Sequence, residues 1–259
     1  MRPRSLQATY RPSSSISGAT WVAAALRREI RAGAYPFQGL LPTEAALCER
    51  FSCSHAPVRR ALALLAQEGY VQARQGRGVT VIWQPEQAGT QGYATGGLDT
   101  FPEICAARGL TPKTRLLTFE RLFADDRVAA STGFTPGTPL VHLLRLRIAS
   151  GKPVAVEETY TSETEVPGIT PEIAVSGTYR HIEQTLGMEI LTSKRTLSMR
   201  RAGVQDGALL NLDPMTYIAL VESHTFASTG NQFEVIYSRQ HPEFFSARIL
   251  ATRPHRKRP

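Results

Sequence analysis

The sequence predicts an α+β chain in two parts: three amphipathic helices closed by a β-hairpin, then a larger domain with an antiparallel sheet and flanking helices. Three observations predict it. Apolar residues recur at helical spacing between residues 20 and 68, the period changes to two after Gly69, and a helix–strand–hairpin–strand unit occurs twice beyond residue 100. A length of 259 residues suits one or two domains, and 42% hydrophobic with 20% charged residues excludes a collagen-like or grossly disordered chain. No apolar run is long enough for a transmembrane helix, so no membrane partner is expected.

Residues 1–18 contain Arg, Ser and Pro without an apolar stretch, which reads as a disordered lead-in rather than a secretory signal. The first helix is expected over 20–33, capped by Thr20, with Val22, Leu26 and Ile30 on one face and Gly33 ending it. A loop at 35–39 leads to a second helix from Thr43 to Phe51, with Thr43 as N-cap and Glu44 at its positive end. Ser54 caps a third helix reaching about Glu68. Pro57 falls in its first turn, where a missing N–H costs nothing, and Val58, Leu62 and Leu65 form the buried stripe. Strands at 70–74 and 79–82 flank the turn Gln75-Gly76-Arg77-Gly78. Three helices followed by a hairpin is the order of a winged helix-turn-helix, here over residues 19–83. Residues 84–100, rich in Gly, Gln and Thr, read as a linker.

In the second domain, 101–250, the first unit is a helix at 125–131, a strand at 140–148, the turn Ser150-Gly151-Lys152 and a return strand at 154–160. The second unit is a helix at 204–210, a strand at 217–226, the turn Thr229-Gly230-Asn231 and a return strand at 233–239. The return strands carry Glu157 and Glu234 at similar places. A helix at 179–186 and a strand at 190–199 lie between the units. Tight hairpins make the sheet antiparallel. Residues 251–259 form a basic tail.

Charge is unevenly distributed. Residues 1–83 hold 11 Lys and Arg against 4 Asp and Glu, whereas 84–250 hold 15 against 18. A basic first third on a mildly acidic body points to a polyanion partner. Cys48, Cys53 and Cys105 are too few for a disulfide framework and lack zinc-site spacing; they read as core cysteines in a reduced, cytoplasmic compartment, with no metal or cofactor expected.

A recognition helix places its first turn against base edges in the major groove. Here that turn offers Ser54, His55 and Ala56, with Arg59 one turn later and Arg60 beside it. The hairpin offers Arg74 at its base and Gln75, Gly76 and Arg77 at its tip, suited to backbone approach and minor-groove entry. Thr43 and the helix end behind it suit a phosphate. The segments Leu41-Pro42-Thr43-Glu44, Cys53 through Leu62, Leu65 through Gly69 and Arg74 through Gly78 resemble the DNA-binding domain of the GntR family of bacterial transcription regulators. The resemblance implies a homodimer on a short pseudo-palindromic double-stranded DNA operator, read through Ser54, His55, Ala56, Arg59, Gln75 and Gly76. His55 stands where the family usually has Arg, and Ala56 where a hydroxyl residue is common, so the operator is expected to differ from the usual one.

The second domain shows no nucleophile elbow, Walker loop, dinucleotide fingerprint or metal-spaced His pair, which argues against an enzyme. Arg145 and Arg147 share one face of a strand, with Glu157 on the next. A buried arginine pair suits a phosphate or carboxylate, and an exposed one suits surface ion pairs; the pattern alone leaves both open. This domain resembles the UTRA effector-sensing domain of the HutC-type subfamily. The matching residues are Gly137 and Pro139, the Arg145–Arg147 strand, Gly151 through Glu157, Gly177-Thr178-Tyr179 and Gly230 through Glu234. The resemblance implies a chorismate-lyase-like fold in which Arg145, Arg147, Thr178 and Tyr179 hold a small anionic effector and Glu157 and Glu234 bind its hydroxyl or amine groups. Gly177, Gln240 and His241-Pro242 depart from the family pattern. The expected function is therefore an effector-responsive transcription regulator acting as a repressor. A ligand-independent plasmid-type or architectural DNA binder and a lyase-like enzyme remain as alternatives.

Overall fold

The computed structural model describes residues 18–74, 76–84, 93–94 and 98–248. Gln75, the lead-in before Gly18, much of 84–100 and the tail 251–259 lie outside them. The described residues form two compact units, 18–84 and 93–248.

In the first unit, α1 spans Gly18–Arg31, α2 Glu44–Phe51 and α3 His55–Gln67. Helix α1 starts earlier than the sequence implied. Ala19 is buried in line with Val22, Ala23, Leu26 and Ile30, so Thr20 lies within the first turn and is not the cap. Thr43 is the N-cap of α2, and its Oγ1 accepts from the Ala46 N–H at 3.3 Å. Ser54 holds the extended N-cap backbone of α3 but makes no side-chain cap bond. Strands β1 (Val71–Arg74) and β2 (Gly78–Val81) pair antiparallel, with Arg74 opposite Gly78. Leu40 adds a bridge to Thr80, so the end of the expected loop lies on the hairpin as a short third edge. Leu26, Leu47, Val58, Leu65 and Val81 are buried in one core, against which Cys48 and Cys53 pack.

In the second unit, β3 (Tyr93–Ala94) precedes α4 (Phe101–Ala107), which opens on a capping box between Thr100 and Glu103. Then follow β4 (Pro112–Phe123), α5 (Asp126–Thr132), β5 (Pro139–Ala149) and β6 (Lys152–Ser162). Helices α6 (Pro171–Ser176) and α7 (Thr178–Arg180) come next, and α7 runs into a π turn at His181–Thr185. The chain ends with β7 (Ile190–Arg201), α8 (Gly203–Leu210), β8 (Tyr217–Ala227), β9 (Gln232–Gln240) and β10 (Ala247–Arg248). Six strands make one antiparallel sheet in the order β4-β5-β6-β9-β8-β7, and β3 pairs with β10.

The repeat is longer than the sequence showed. Each unit has a leading strand, so β4-α5-β5-β6 matches β7-α8-β8-β9, and β6 meets β9 at the centre. Thr159 faces Ile236 there, with Glu157 opposite Ser238 and Glu234 opposite Thr161. Glu157 and Glu234 each lie two residues before that central pair, so the local twofold relates them. The sheet is covered on both faces. Val141, Leu143, Ile169 and Ile182 form the core beneath α6 and α7, while Leu140, Tyr160 and Val235 pack with α5, and Leu146, Val156 and Ile218 pack near α8.

Candidate functional site

The predicted DNA-facing residues lie on two supports in the first unit. Around the start of α3, His55 and Arg59 have side chains 61% and 70% exposed, and Ala56 and Arg60 are also exposed. Glu44 at the start of α2 links the two helices: its Oε2 accepts from Arg59 Nε at 2.9 Å and lies 3.8 Å from His55 Nδ1. That hydrogen bond raises the Arg59 pKa further. The sequence marked Glu44 only as a helix-end charge; its second role needs the packing of α2 on α3. On the hairpin, Arg74 and Arg77 are exposed, and the Arg77 N–H donates to the Arg74 carbonyl at 3.0 Å. Gly76 has φ +72°, with open space where a Cβ would stand, so the backbone conformation favours glycine at the tip.

The predicted effector residues meet at a cavity of about 360 Å³ on the α6–α7 face of the sheet. Its floor follows the strand register. Arg145, Glu157, Ser238 and Val221 form one row across β5, β6, β9 and β8, and Arg147, Ala155, Gln240 and Ala219 form the next. Gly177, Thr178 and Tyr179 line one wall, and Thr100 and Phe101 another.

Arg145 is only 1% exposed. Its guanidinium donates to Thr159 Oγ1 at 2.8 Å and to the Ala174 carbonyl at 3.4 Å, with Glu157 Oε2 at 3.6 Å; its Nε has no hydrogen-bond partner among the described residues. Burial, aided by the like charge of Arg147, pushes its pKa down to about 10, so it stays charged at neutral pH. Arg147 donates to Glu157 Oε2 and to Thr114 Oγ1, both at 2.7 Å, and lies over the Phe101 ring. Burial alone would raise the Glu157 pKa, but Arg147 and Arg145 outweigh it and hold the carboxyl below its ordinary range. Two guanidiniums thus share one carboxylate at the cavity floor, and the Glu234 carboxyl is close enough to act on both.

Glu234 does not line the cavity. It is fully buried, and Tyr179, which does line it, donates its hydroxyl to Glu234 Oε2 at 2.9 Å. Burial pushes the Glu234 pKa up to about 7, opposed by Arg145 and the Tyr179 bond. The cavity also includes Arg195, Ser223 and Ser238, which the sequence did not single out, and Gln240, which it marked only as a departure from the family pattern. Ser238 and Gln240 lie four and six residues after Glu234 on the same strand face, so the period-two pattern contained them.

The opposite sheet face carries a paired charge network. Glu158 accepts from Arg239 at 2.9 Å and Tyr160 at 3.1 Å, with His142 Nε2 at 3.2 Å. The His142 contact and Arg239 bring the Glu158 pKa down to about 2 against the effect of burial. Arg239 and Arg200 both pair with Asp206 on α8.

The chain matches the bacterial regulatory proteins of the gntR family over residues 19–81 and the UTRA domain over residues 107–246. It is 27% identical over 224 residues to the HTH-type transcriptional regulator GmuR of Bacillus subtilis, covering 86% of this chain and 94% of that protein. It is 29% identical over 218 residues to the mannosyl-D-glycerate transport/metabolism system repressor MngR of Escherichia coli, covering 84% and 88%. The structure of the possible transcriptional regulator YydK of Bacillus subtilis superposes with a TM-score of 0.77 at 17% identity, covering 92% of this chain and all of that one, which shows the shared fold. No helix among the described residues is long and apolar enough to cross a membrane. The winged helix-turn-helix, the six-stranded antiparallel sheet and these two matches place the chain in the GntR family of DNA-binding transcriptional regulators, with a C-terminal ligand-binding UTRA domain.

Proposed function

We propose that this regulator is a homodimeric repressor whose grip on a pseudo-palindromic operator is set by a small anionic metabolite in the UTRA cavity. Ser54, His55, Ala56 and Arg59 read base edges, together with Gln75 and Gly76. Thr43, Arg60, Arg74 and Arg77 contact phosphates, and these contacts fix register more than sequence. MngR, the repressor of a mannosyl-D-glycerate transport/metabolism system, supports both the sign and an anionic ligand.

One observation carries the ligand reading: a buried Arg145 and a partly buried Arg147 stand side by side at the cavity floor and share the carboxylate of Glu157. Crowding two guanidiniums out of water is costly, and an anion with forked oxygens relieves that cost. Thr178 at the wall supplies a further hydroxyl, and Tyr179 and Glu234 back it. Ligand and DNA are coupled through the spacing of the two winged helices in the dimer, with a coupling of about 1–3 kcal/mol. The protein binds and releases its ligand unchanged and is no enzyme.

A panel of small phosphates and carboxylates followed by melting temperature tests this reading. An anion at 100 times its Kd should stabilise the protein by about 2.7 kcal/mol. A response that Arg147→Met leaves intact, or no response to any anion, would remove the arginines from the site.

A further inference from the structure

The turn between α2 and α3 holds two cysteines in one backbone motif. Helix α2 ends with Ser52 in the left-handed region, where the Ser52 N–H donates to the Glu49 carbonyl at 3.2 Å and the Cys53 N–H donates to the Cys48 carbonyl at 3.1 Å. These are the two nested bonds of a Schellman ending, whose first and last residues pack side chain against side chain. Here those residues are Cys48 and Cys53. Both are half-buried free thiols that pack on the core of the first unit, and burial together with the neighbouring Cys48 pushes the Cys53 thiol up. Any apolar pair would serve the turn equally well, whereas two thiols held as neighbours meet the first requirement of a disulfide. Among the described residues no third His, Cys, Asp or Glu completes a metal site with them. Cys53 stands one residue before Ser54, the N-cap of α3, so a movement of Cys53 moves the start of the recognition helix. Cys48 lies within electrostatic reach of Arg59 on that helix.

We propose that Cys48 and Cys53 form a reversible dithiol–disulfide switch that loosens the winged helix-turn-helix from its DNA site when a peroxide oxidises it. The switch acts on the DNA-binding unit itself and does not depend on the anion-binding reading of the second unit. Cys53 is held protonated, so Cys48 attacks first. Its thiolate bonds to one oxygen of hydrogen peroxide, the O–O bond breaks, and the departing hydroxide takes the proton that the thiol gave up. Cys53 then attacks the sulfenic sulfur of Cys48, the S–O bond breaks, and a second water leaves with the Cys53 proton. Two thiols are oxidised to one disulfide and one peroxide is reduced to two waters. The bridge draws the two side chains closer than packing does and pulls the first turn of α3 toward α2. Hydrogen bonds to base edges weaken steeply with distance and angle, so the DNA contacts of that turn are lost while the fold stands.

The test uses the full chain and the duplex that its reduced form enriches most from a random-sequence pool. Anisotropy is measured before peroxide, after it and after dithiothreitol, with peptide mass spectrometry on each sample. Peroxide should join Cys48 to Cys53 with the loss of two hydrogens and weaken binding about tenfold or more, the weight of one bidentate base contact. Dithiothreitol should restore both. Cys53→Ala and, independently, Cys48→Ala should bind like the reduced wild type and ignore peroxide. Two thiols left free by peroxide, or a bridge that leaves the affinity unchanged, would overturn the switch. A loss of the same size in both alanine variants would place the oxidation elsewhere and overturn it as well.

Discussion

On α3 the arginine expected to read DNA has a side chain 70% exposed and is held by one ion pair, whereas Arg145 in the UTRA cavity is 1% exposed and sits among Thr159, the Ala174 carbonyl and Glu157. The same side chain thus serves two anion-facing surfaces under opposite conditions. The exposed one costs little to keep, and its attraction to DNA is long-ranged and screened by salt. The buried one is expensive, is paired in advance, and acts on a partner small enough to enter. The difference teaches that mutation of the exposed arginine should change affinity without touching stability, while mutation of the buried one should change both.

The largest break in that comparison is Arg145→Met. Removing one partner of a buried charge group destabilises by about 3–5 kcal/mol. Thermal unfolding should show the second unit melting near 10 °C lower, at about 2–4 °C per kcal/mol for a domain of this size. A change below about 0.5 kcal/mol would mean that Arg145 behaves as a surface charge.

Titration sharpens the comparison within the sheet. Glu234 has its pKa raised from 4.5 to about 7, so between those values the folded chain keeps a proton that the unfolded chain has lost. Its contribution is present below about pH 4.5 and is lost as pH rises through 7, an effect on the order of 3 kcal/mol. Glu158, on the other face, has its pKa lowered to about 2, so its contribution is present above about pH 4.5 and is lost as pH falls toward 2. Denaturant melts across this range should show Glu234→Gln removing the loss at high pH and Glu158→Gln removing the loss at low pH. The same slope in both variants would contradict the assignment.

Arg59→Ala comes next. It should cost about 1–3 kcal/mol on the specific site while leaving the melting temperature within about 0.5 kcal/mol of the wild type. Competition binding with specific and scrambled duplexes measures it, and equal losses on both would reduce Arg59 to a phosphate contact. The smallest effect is Thr43→Ala, which removes the α2 cap and should cost about 1 kcal/mol of stability in chemical denaturation.

Much of this was legible in the residues. Helical spacing at Val22, Leu26 and Ile30 and the change of period after Gly69 located the first unit because its elements are short, local and one-sided. The sequence missed β4, because Leu117 is the extra residue of a bulge opposite β5 and breaks the alternation, and because an edge strand is half exposed. It missed α6, whose six residues show no helical period. In the cavity, the arginine pair and Glu157 were visible as an alternating pattern. The burial of Glu234 behind Tyr179 and of Gln240 on the same strand depend on which strand lies beside which, and that is fixed by the meeting of β6 and β9 across 69 residues of intervening chain.

The most direct test of a ligand-set DNA grip is fluorescence anisotropy of the full chain on DNA from upstream of its own gene and on a scrambled duplex, at physiological salt. It would be run with and without the small phosphate that raises the melting temperature most, for the wild type and for Arg147→Met. Binding should be at least about a thousandfold tighter to the upstream DNA. That affinity should be weakened about 5- to 150-fold by the phosphate in the wild type and unmoved by it in the variant. An operator affinity indifferent to every anion that stabilises the protein would contradict it.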